Sequence, residues 1–262
     1  MPATDLPLLV DAARIAGRVA SSYTGASAAR WDKPGGAGPV TEADLAVNDV
    51  LERTLRLARP DYGWLSEESE DSAQRLSQDC VFIIDPIDGT RSFVEGARTW
   101  AISIAVAYRG VVTAAAIYLP LRDKMYAAGQ GLGATLNGAP VSVTSAAMSP
   151  ASTVLAARPN FDAKHWQDSA PDVARHYRPS LAYRLSLVGQ GRFDGMLTLR
   201  PSWEWDIAAG ALIVTEAGGT ITDRTGAPLR FNNPHPTLNG VVAAGTPLHG
   251  ALLGQLEQPR SA

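Results

Sequence analysis

Apolar residues recur at helical spacing from the start of the chain, with Leu6, Leu9, Val10, Ala13, Gly17 and Ala20 on one stripe. A second helix is expected from Thr41, an N-cap residue with Glu42 and Asp44 in the turn behind it. Leu45, Val47, Leu51, Leu55 and Leu57 supply its apolar contacts, and Arg59-Pro60 ends it. Between the two helices, Lys33-Pro34-Gly35-Gly36-Ala37-Gly38-Pro39 is a run of breakers that reads as a mobile loop. From residue 80 the period changes to two. Residues 80–84 form an apolar run that stops at Asp85-Pro86, as a buried strand would. Over 100–108, Ile102, Ile104, Val106 and Tyr108 share one face, and Ala101, Ser103, Ala105 and Ala107 the other. Arg109-Gly110 then turns the chain into a strand over 111–119, which makes a hairpin. Further strands are expected over 124–128 and 134–136.

The second half alternates strand and helix. Strands are expected over 153–157, 195–199, 220–222 and 240–244, with helices over 181–190 and 206–217. Gly218-Gly219 closes the latter, and Leu248, Leu252 and Leu253 mark a final helix. The small, polar stretch 144–150 reads as a boundary between an N-terminal domain over 1–145 and a C-terminal one over 146–262. Strand–helix mixing in both halves points to layered α/β sheets and not to a barrel of many short strands.

Composition changes this picture little. The 262 residues are 45% hydrophobic and 19% charged, with 24 glycines and 18 prolines, which suits a globular protein and excludes disordered, collagen-like or coiled-coil classes. A net charge of −3 advertises neither nucleic acid nor anionic lipid. No stretch approaches the ~20 apolar residues of a membrane span. The amino terminus lacks a basic leader region, and the lone Cys80 fits a reducing compartment, so a cytoplasmic location is expected.

The chemistry concentrates in carboxylates. In Asp85-Pro86-Ile87-Asp88-Gly89-Thr90 a buried strand ends, a turn follows, and a helix opens. That order aims Asp85, Asp88 and the Ile87 carbonyl at one point, with the free N–H groups of a helix start beside them, which suits a phosphate. Upstream lie Glu67 and Glu68, and downstream Asp206 heads an apolar helix. Taken singly, each acid also reads as ordinary structure: Asp85 and Asp88 as turn and helix caps, Glu67-Glu68 as a solvated loop, Asp206 as an N-cap.

Together the segments resemble the inositol monophosphatase superfamily of metal-dependent, lithium-sensitive phosphomonoesterases. The aspartate motif of that family, Asp-Pro-Ile/Leu-Asp-Gly-Thr, is Asp85 to Thr90 here. Five fixed residues at ~5% usage each would arise by chance about once in three million positions, so the match is specific. Trp205-Asp206 with Ala208-Ala209-Gly210, then Glu216-Ala217-Gly218-Gly219, matches a second signature; Thr41 to Asp44 behind a Lys33-containing loop matches a third.

The resemblance implies an αβαβα sandwich of two mixed sheets with helix layers, and a site holding two to three Mg²⁺ ions. Glu67, Asp85 and the Ile87 carbonyl would hold one ion; Asp85, Asp88 and Asp206 a second; a third, weaker one would sit by Glu67. Oxygen-only ligands select such a hard cation. Thr90 is then the implied partner of the attacking water and passes its own hydrogen bond to Asp44, with Glu67 the third catalytic group. Asp44 equally reads as a first-turn acid favoured by the helix dipole. Gly89 and Thr90 would cradle the phosphate, bordered by Asp88 and Asp206, and Lys33 would close over the site or be an ordinary exposed lysine. His165, His176, His235 and His249 lie outside the motifs and read as surface or loop residues.

The leaving group divides the family. Where inositol monophosphatases generally carry a Glu seven residues before the Trp-Asp aspartate, this chain has Leu199. Glu204-Trp205-Asp206 instead resembles the branch that removes the 3′-phosphate of 3′-phosphoadenosine 5′-phosphate. Arg200 would meet the substrate's other phosphate, or be a surface arginine. Expected partners are a small phosphate ester and at most a second copy of the chain, with no nucleic acid and no membrane. Inositol or sugar phosphates are the alternative substrates. A protein-interaction, transcription-associated role is the alternative from another class.

Overall fold

Helix α1 (Leu6–Ser22) opens the computed structural model, which describes residues 2–23, 28–32 and 38–257. Lys33, expected to close over the site, lies outside the described residues. Strands β1 (Arg30–Asp32) and β2 (Pro39–Thr41) pair antiparallel and lead into α2 (Glu42–Ala58). Thr41 caps α2 as expected, in a reciprocal box: its hydroxyl accepts from the Asp44 N–H while the Asp44 carboxylate accepts from the Thr41 N–H. Leu45 and Leu57 do not join the core. They fall off the Ala43–Val47–Leu51–Leu55 stripe and are 42% and 88% exposed.

The larger sheet follows as β3 (Gly63–Ser66), β4 (Cys80–Asp88), β5 (Ala101–Tyr108), β6 (Val111–Leu119), β7 (Lys124–Gly129), β8 (Gly133–Leu136) and β9 (Ala139–Pro140). Its spatial order is the chain order, parallel between β3 and β4 and antiparallel elsewhere. The short helix α3 (Thr90–Val94) links β4 to β5. The smaller sheet is built from β10 (Thr153–Leu155), β11 (Ala174–His176) and β12 (Gly195–Thr198), with α4 (Leu181–Gly189) before β12. After β13 (Ser202–Trp203) and α5 (Glu204–Glu216) come β14 (Thr220–Thr222), β15 (Thr237–Leu238), β16 (Val241–Ala244) and α6 (Thr246–Gln255). Its order is β11-β10-β12-β16-β14, parallel on the β11 side and antiparallel on the other.

Alternation along β5 separates the layers. Ile102, Ile104 and Val106 pack with α1 and α2, while Ala101, Ala105 and Ala107 face the cluster that contains α4 and α5. On the far side of those helices lie Leu155, Met196, Val241 and Ala243 of the smaller sheet, whose opposite face meets Leu248 and Leu252 of α6. The result is the expected five-layer αβαβα order. The pairs β1–β2 and β13–β15, and strands β3, β9 and β11, were not expected from the residue pattern.

Strand β4 runs past the expected stop. Asp85 pairs with Ser103 and Asp88 with Ala101, so three steps on β4 oppose two on β5, a bulge that spans Pro86. Proline has no N–H for the ladder, and a bulge is where it is tolerated. In a regular strand Asp85 and Asp88, three apart, would point to opposite faces. The extra residue turns both to one end of the sheet.

Helices α4 and α5 touch through Gly210, where a Cβ would meet the Leu185 side chain at 2.5 Å. Gly210→Ala is expected to cost about 1–3 kcal/mol through overpacking. That lowers the thermal midpoint by roughly 2–4 °C per kcal/mol in a chain of this size, measurable by calorimetry. An unchanged midpoint would show that α4 and α5 can move apart freely.

Candidate active site

Glu67, Asp85, Asp88 and Asp206 each stand at an element terminus and line one cleft of about 800 Å³. Asp85 and Asp88 come from the bulged end of β4, and Asp206 from the first turn of α5. Oxygen atoms of these three lie within 4.8 Å of one another. Asp85 accepts from the Ile87 N–H at 3.0 Å, which closes the turn around the bulge. One oxygen of Asp88 accepts from Ser180 Oγ and from the Ala182 N–H, both at 2.6 Å. Asp88 therefore sits on the N-terminus of α4, where the helix dipole favours an anion. Ser180 also caps that helix by accepting from the Tyr183 N–H. Ser103 of β5 donates to the Trp205 carbonyl at 3.1 Å and ties the start of α5 to the sheet.

Glu67 follows β3, and its N–H donates to the Ile84 carbonyl at 3.2 Å. The turn that carries it is pinned from α2. Asn48 accepts from Ser66 Oγ at 2.6 Å and donates to Ser69 Oγ at 3.0 Å; Trp64 Nε1 also donates to Ser69 Oγ. Asn48 went unnoticed in the sequence, although it lies one helical turn beyond Asp44.

The Thr90 hydroxyl lies 3.2 Å from both Asp44 Oδ1 and the Ile87 carbonyl, either of which it can donate to. The other oxygen of Asp44 is held by the Thr41 N–H at 2.8 Å and the Thr41 hydroxyl at 2.5 Å. Gly89, before α3, has φ +99°, the left-handed region where a side chain would be strained. Gly38, Gly89, Thr90 and Ile87 line the cleft with Glu67 and the three aspartates.

Electrostatics follow from crowding. Burial, then the charges of Glu67, Asp88 and Asp206, hold the Asp85 carboxyl well above the ordinary value of 3.8. Burial does the same at Asp206, reinforced by Asp88 and Glu67. Asp88 is pushed up to about 6, again by burial, with the Ser180 and Ala182 bonds opposing. Burial also raises Asp44, against the Thr41 bonds. Oxygen-only donors this close, each disfavouring its own charge, are the donor set that a hard divalent cation relieves.

One reading needs correction. His249 is no surface residue; it is buried on α6 against Thr222, 3.0 Å from its hydroxyl. Glu204 is fully buried, and its oxygens accept from the Asn232 N–H, the Asn233 N–H and Asn233 Nδ2 at 2.6–2.9 Å. It anchors the 232–233 loop to α5. His165 lines the cleft, as do Leu199, Arg200 and a residue that the sequence did not single out, Arg184. The signal for Arg184 was available: it is the one charge in the otherwise uncharged segment 181–189.

A family model described as the inositol monophosphatase family matches residues 3–260. The chain belongs to the inositol monophosphatase family. Membership makes it a phosphatase. Curated relatives include the Nus factor SuhB of Escherichia coli K12, 34% identical over 254 residues, with 92% of this chain and 91% of that protein covered. The inositol-1-monophosphatase of Mesorhizobium japonicum is 32% identical over 241 residues, covering 85% and 84%. Among solved structures, the extragenic suppressor protein suhB of Bartonella henselae superposes with TM-score 0.81 at 28% identity, over 96% of this chain and 97% of that one. The Thermotoga maritima IMPase gives 0.80 at 27% identity, over 94% and 93%.

The raised carboxyls fix a pH signature. Between the ordinary value of 3.8 and the value of about 6 at Asp88, the native state binds more protons than the unfolded chain. Stability of the metal-free protein must then fall as pH rises through that window. Thermal melts in chelator from pH 4 to 7.5 should show a declining midpoint, which Mg²⁺ reverses at pH 7.5 and not at pH 4. Asp88→Asn keeps an oxygen for Ser180 and Ala182 while removing one charge, so its metal-free midpoint at pH 7.5 should rise by a few degrees, about 1 kcal/mol. A flat pH profile, with no response to Mg²⁺, would show that the carboxylates do not form one site.

Proposed function

We propose that the chain is a Mg²⁺-dependent phosphomonoesterase whose substrate is a small nucleotide, 3′-phosphoadenosine 5′-phosphate, hydrolysed at the 3′-phosphate. The observation that carries the reaction type is the convergence of Asp85, Asp88 and Asp206 within 4.8 Å, beside the Thr90–Asp44 pair. The donor set suits two cations, with Glu67, Asp85 and the Ile87 carbonyl as one group and Asp85, Asp88 and Asp206 as the other. Bound there, Mg²⁺ supplies water activation and neutralises charge on the phosphate and the leaving oxygen.

The chain's own groups do the rest. Thr90 Oγ1 accepts a hydrogen bond from the attacking water and donates its proton toward Asp44 Oδ1. Asp44, with its pKa raised by burial, is suited to take up that proton. Its second oxygen is locked by Thr41, so the accepting oxygen keeps its aim. The Gly89 and Thr90 N–H groups stand beside the phosphate position.

Three observations support a nucleotide. Leu199 lines the cleft where a carboxylate would be needed for a ring hydroxyl. Arg200 also lines the cleft, where it would meet the non-reacting end. Trp203, 40% exposed, lies parallel on Trp205 with ring centroids 4.8 Å apart and offers a flat surface for a base. Such stacking is worth roughly 1–3 kcal/mol. The relatives named inositol-1-monophosphatase favour inositol phosphate as the second reading. The relatives named Nus factor favour a binding role alongside.

Phosphate release from both esters, with Mg²⁺ and with Mg²⁺ plus lithium, separates these readings. The nucleotide should show the higher kcat/KM, and equal or better turnover of inositol 1-phosphate would overturn the substrate. Asp88→Asn should lose about 10²–10³-fold in kcat. Thr90→Val keeps the shape and removes the relay; it should lose about 10²–10⁴-fold in kcat with little change in KM. No Mg²⁺-dependent release from any ester would leave the binding role.

A further inference from the structure

A buried polar network outside the cleft joins three segments that are distant in sequence. It centres on Arg75, 2% exposed in the connection between β3 and β4. Arg75 Nε and Nη2 pair with the Asp71 carboxylate at 2.6 and 2.8 Å, which closes that connection just behind Glu67. Its Nη1 donates to Asn232 Oδ1 at 2.7 Å, and Asn232 Nδ2 donates back to the Arg75 carbonyl at 3.1 Å. Asn232 has φ +61°, a left-handed conformation that asparagine tolerates. From there its N–H, together with the N–H and Nδ2 of Asn233, reaches the Glu204 carboxylate at 2.6–2.9 Å. Glu204 heads α5 two residues before Asp206, and its own N–H donates to the Pro236 carbonyl at 3.0 Å. The pairing of β13 with β15, and His235 set edge-on to the Trp203 ring, fasten the same loop to the same helix start. Residues 231–238 are thus tied on one side to the connection that carries Glu67, and on the other to the helix that carries Asp206.

Apolar side chains of similar volume would hold such a loop at least as firmly, since desolvating a guanidinium and a carboxylate is costly. What the charged and hydrogen-bonded chain adds is direction and a fixed span. The force it works against is on the page: Asp85, Asp88 and Asp206 repel one another until a cation is bound. We propose that the Arg75–Asn232–Glu204 chain is a brace that holds the head of α5 against this repulsion, so that Asp206 stands at ligand distance before the metal arrives. This rests on the reading that the carboxylates hold Mg²⁺. Arg75, Asn232 and Glu204 do not line the cleft; they are positioning residues that raise metal affinity by assembling the donor set during folding.

Asn232→Gly cuts the brace at one point. Glycine adopts the left-handed conformation freely and keeps the N–H that Glu204 accepts, while both bonds to Arg75 are lost. Calorimetric titration with Mg²⁺ alone should show a Kd weakened about tenfold. Arg75→Met removes the same bonds from the other side and should match it, and the double variant should be no weaker than either single one. Should Arg75→Met fail to fold, Asn232→Gly carries the test alone. Leu9→Ala is the control: it truncates a buried residue of α1, lowers the thermal midpoint and should leave the Kd for Mg²⁺ unchanged. Hydrogen exchange of the metal-free proteins in chelator reads the brace without any cation. Amides over 204–209 should lose protection in Asn232→Gly and Arg75→Met, and keep it in Leu9→Ala. Unchanged protection over 204–209 overturns the brace, as does a Kd equal to that of the wild type or an equal loss in Leu9→Ala. If the wild type binds no Mg²⁺ while the exchange difference stands, the brace is upheld and the Mg²⁺ reading alone falls.

Discussion

Asp85, Asp88 and Asp206 hold three carboxylates within 4.8 Å, where burial and mutual repulsion both oppose ionisation. The surrounding structure is arranged to hold them there. A bulge turns two of them to the same end of β4, the N-terminus of α4 receives one, and the first turn of α5 carries the third. Each placement uses a backbone feature that side-chain motion cannot undo. The cluster keeps its geometry while its charge is left for a cation to satisfy. This is preorganisation: the unfavourable assembly of like charges is completed during folding and not when a substrate arrives.

That assembly depends on small residues some distance from it. Asp206 reaches Asp85 because α5 lies close on the larger sheet, over the face of β5 that carries Ala101, Ala105 and Ala107, with Ala115 of β6 beside them. The isoleucines and valine of β5 all point the other way, toward α1 and α2. Larger side chains on the alanine face would lift α5 from the sheet and take Asp206 with it. Gly210 does the same between helices, since a Cβ there would meet Leu185 on α4. The spacing of the carboxylates is thus a packing result, set by which face of each strand is small.

The layer order was legible because long elements show their period: α1, α2, β5 and β6 declared themselves through apolar residues three to four or two apart. The carboxylates were legible through motif and order, since Asp85 to Thr90 is specific even in isolation. What stayed hidden has physical reasons. The bulge through Pro86 looks like a strand end, because proline signals a stop and only the partner strand reveals the register shift. Glu204 lies two residues before Asp206, a turn of about 200° along the helix, which carries it to the opposite environment. Asn48 and Ser69 act through hydrogen bonds between segments 21 residues apart, which no local pattern records. Arg184 stands out in the sequence as the one charge of 181–189, but only the fold shows that this charge is buried.

Helix α4 supplies the cleft with both hydrogen-bond donors and a buried charge. Ser180 Oγ and the Ala182 N–H bind Asp88, and Arg184 stands two residues further along the same helix. The N-terminus of α4 offers donors to the carboxylate cluster while its next turn offers a cation to the same cleft, so their spacing is fixed by helix geometry. A rise of 1.5 Å per residue places Arg184 about 3 Å along the axis from Ala182, and the length of its side chain adds the rest of the span. Loss of the α4 cap would then disturb Asp88 and Arg184 together. Loss of the Arg184 side chain leaves Asp88 capped but removes a positive charge that favours ionisation of Asp88 and Asp206.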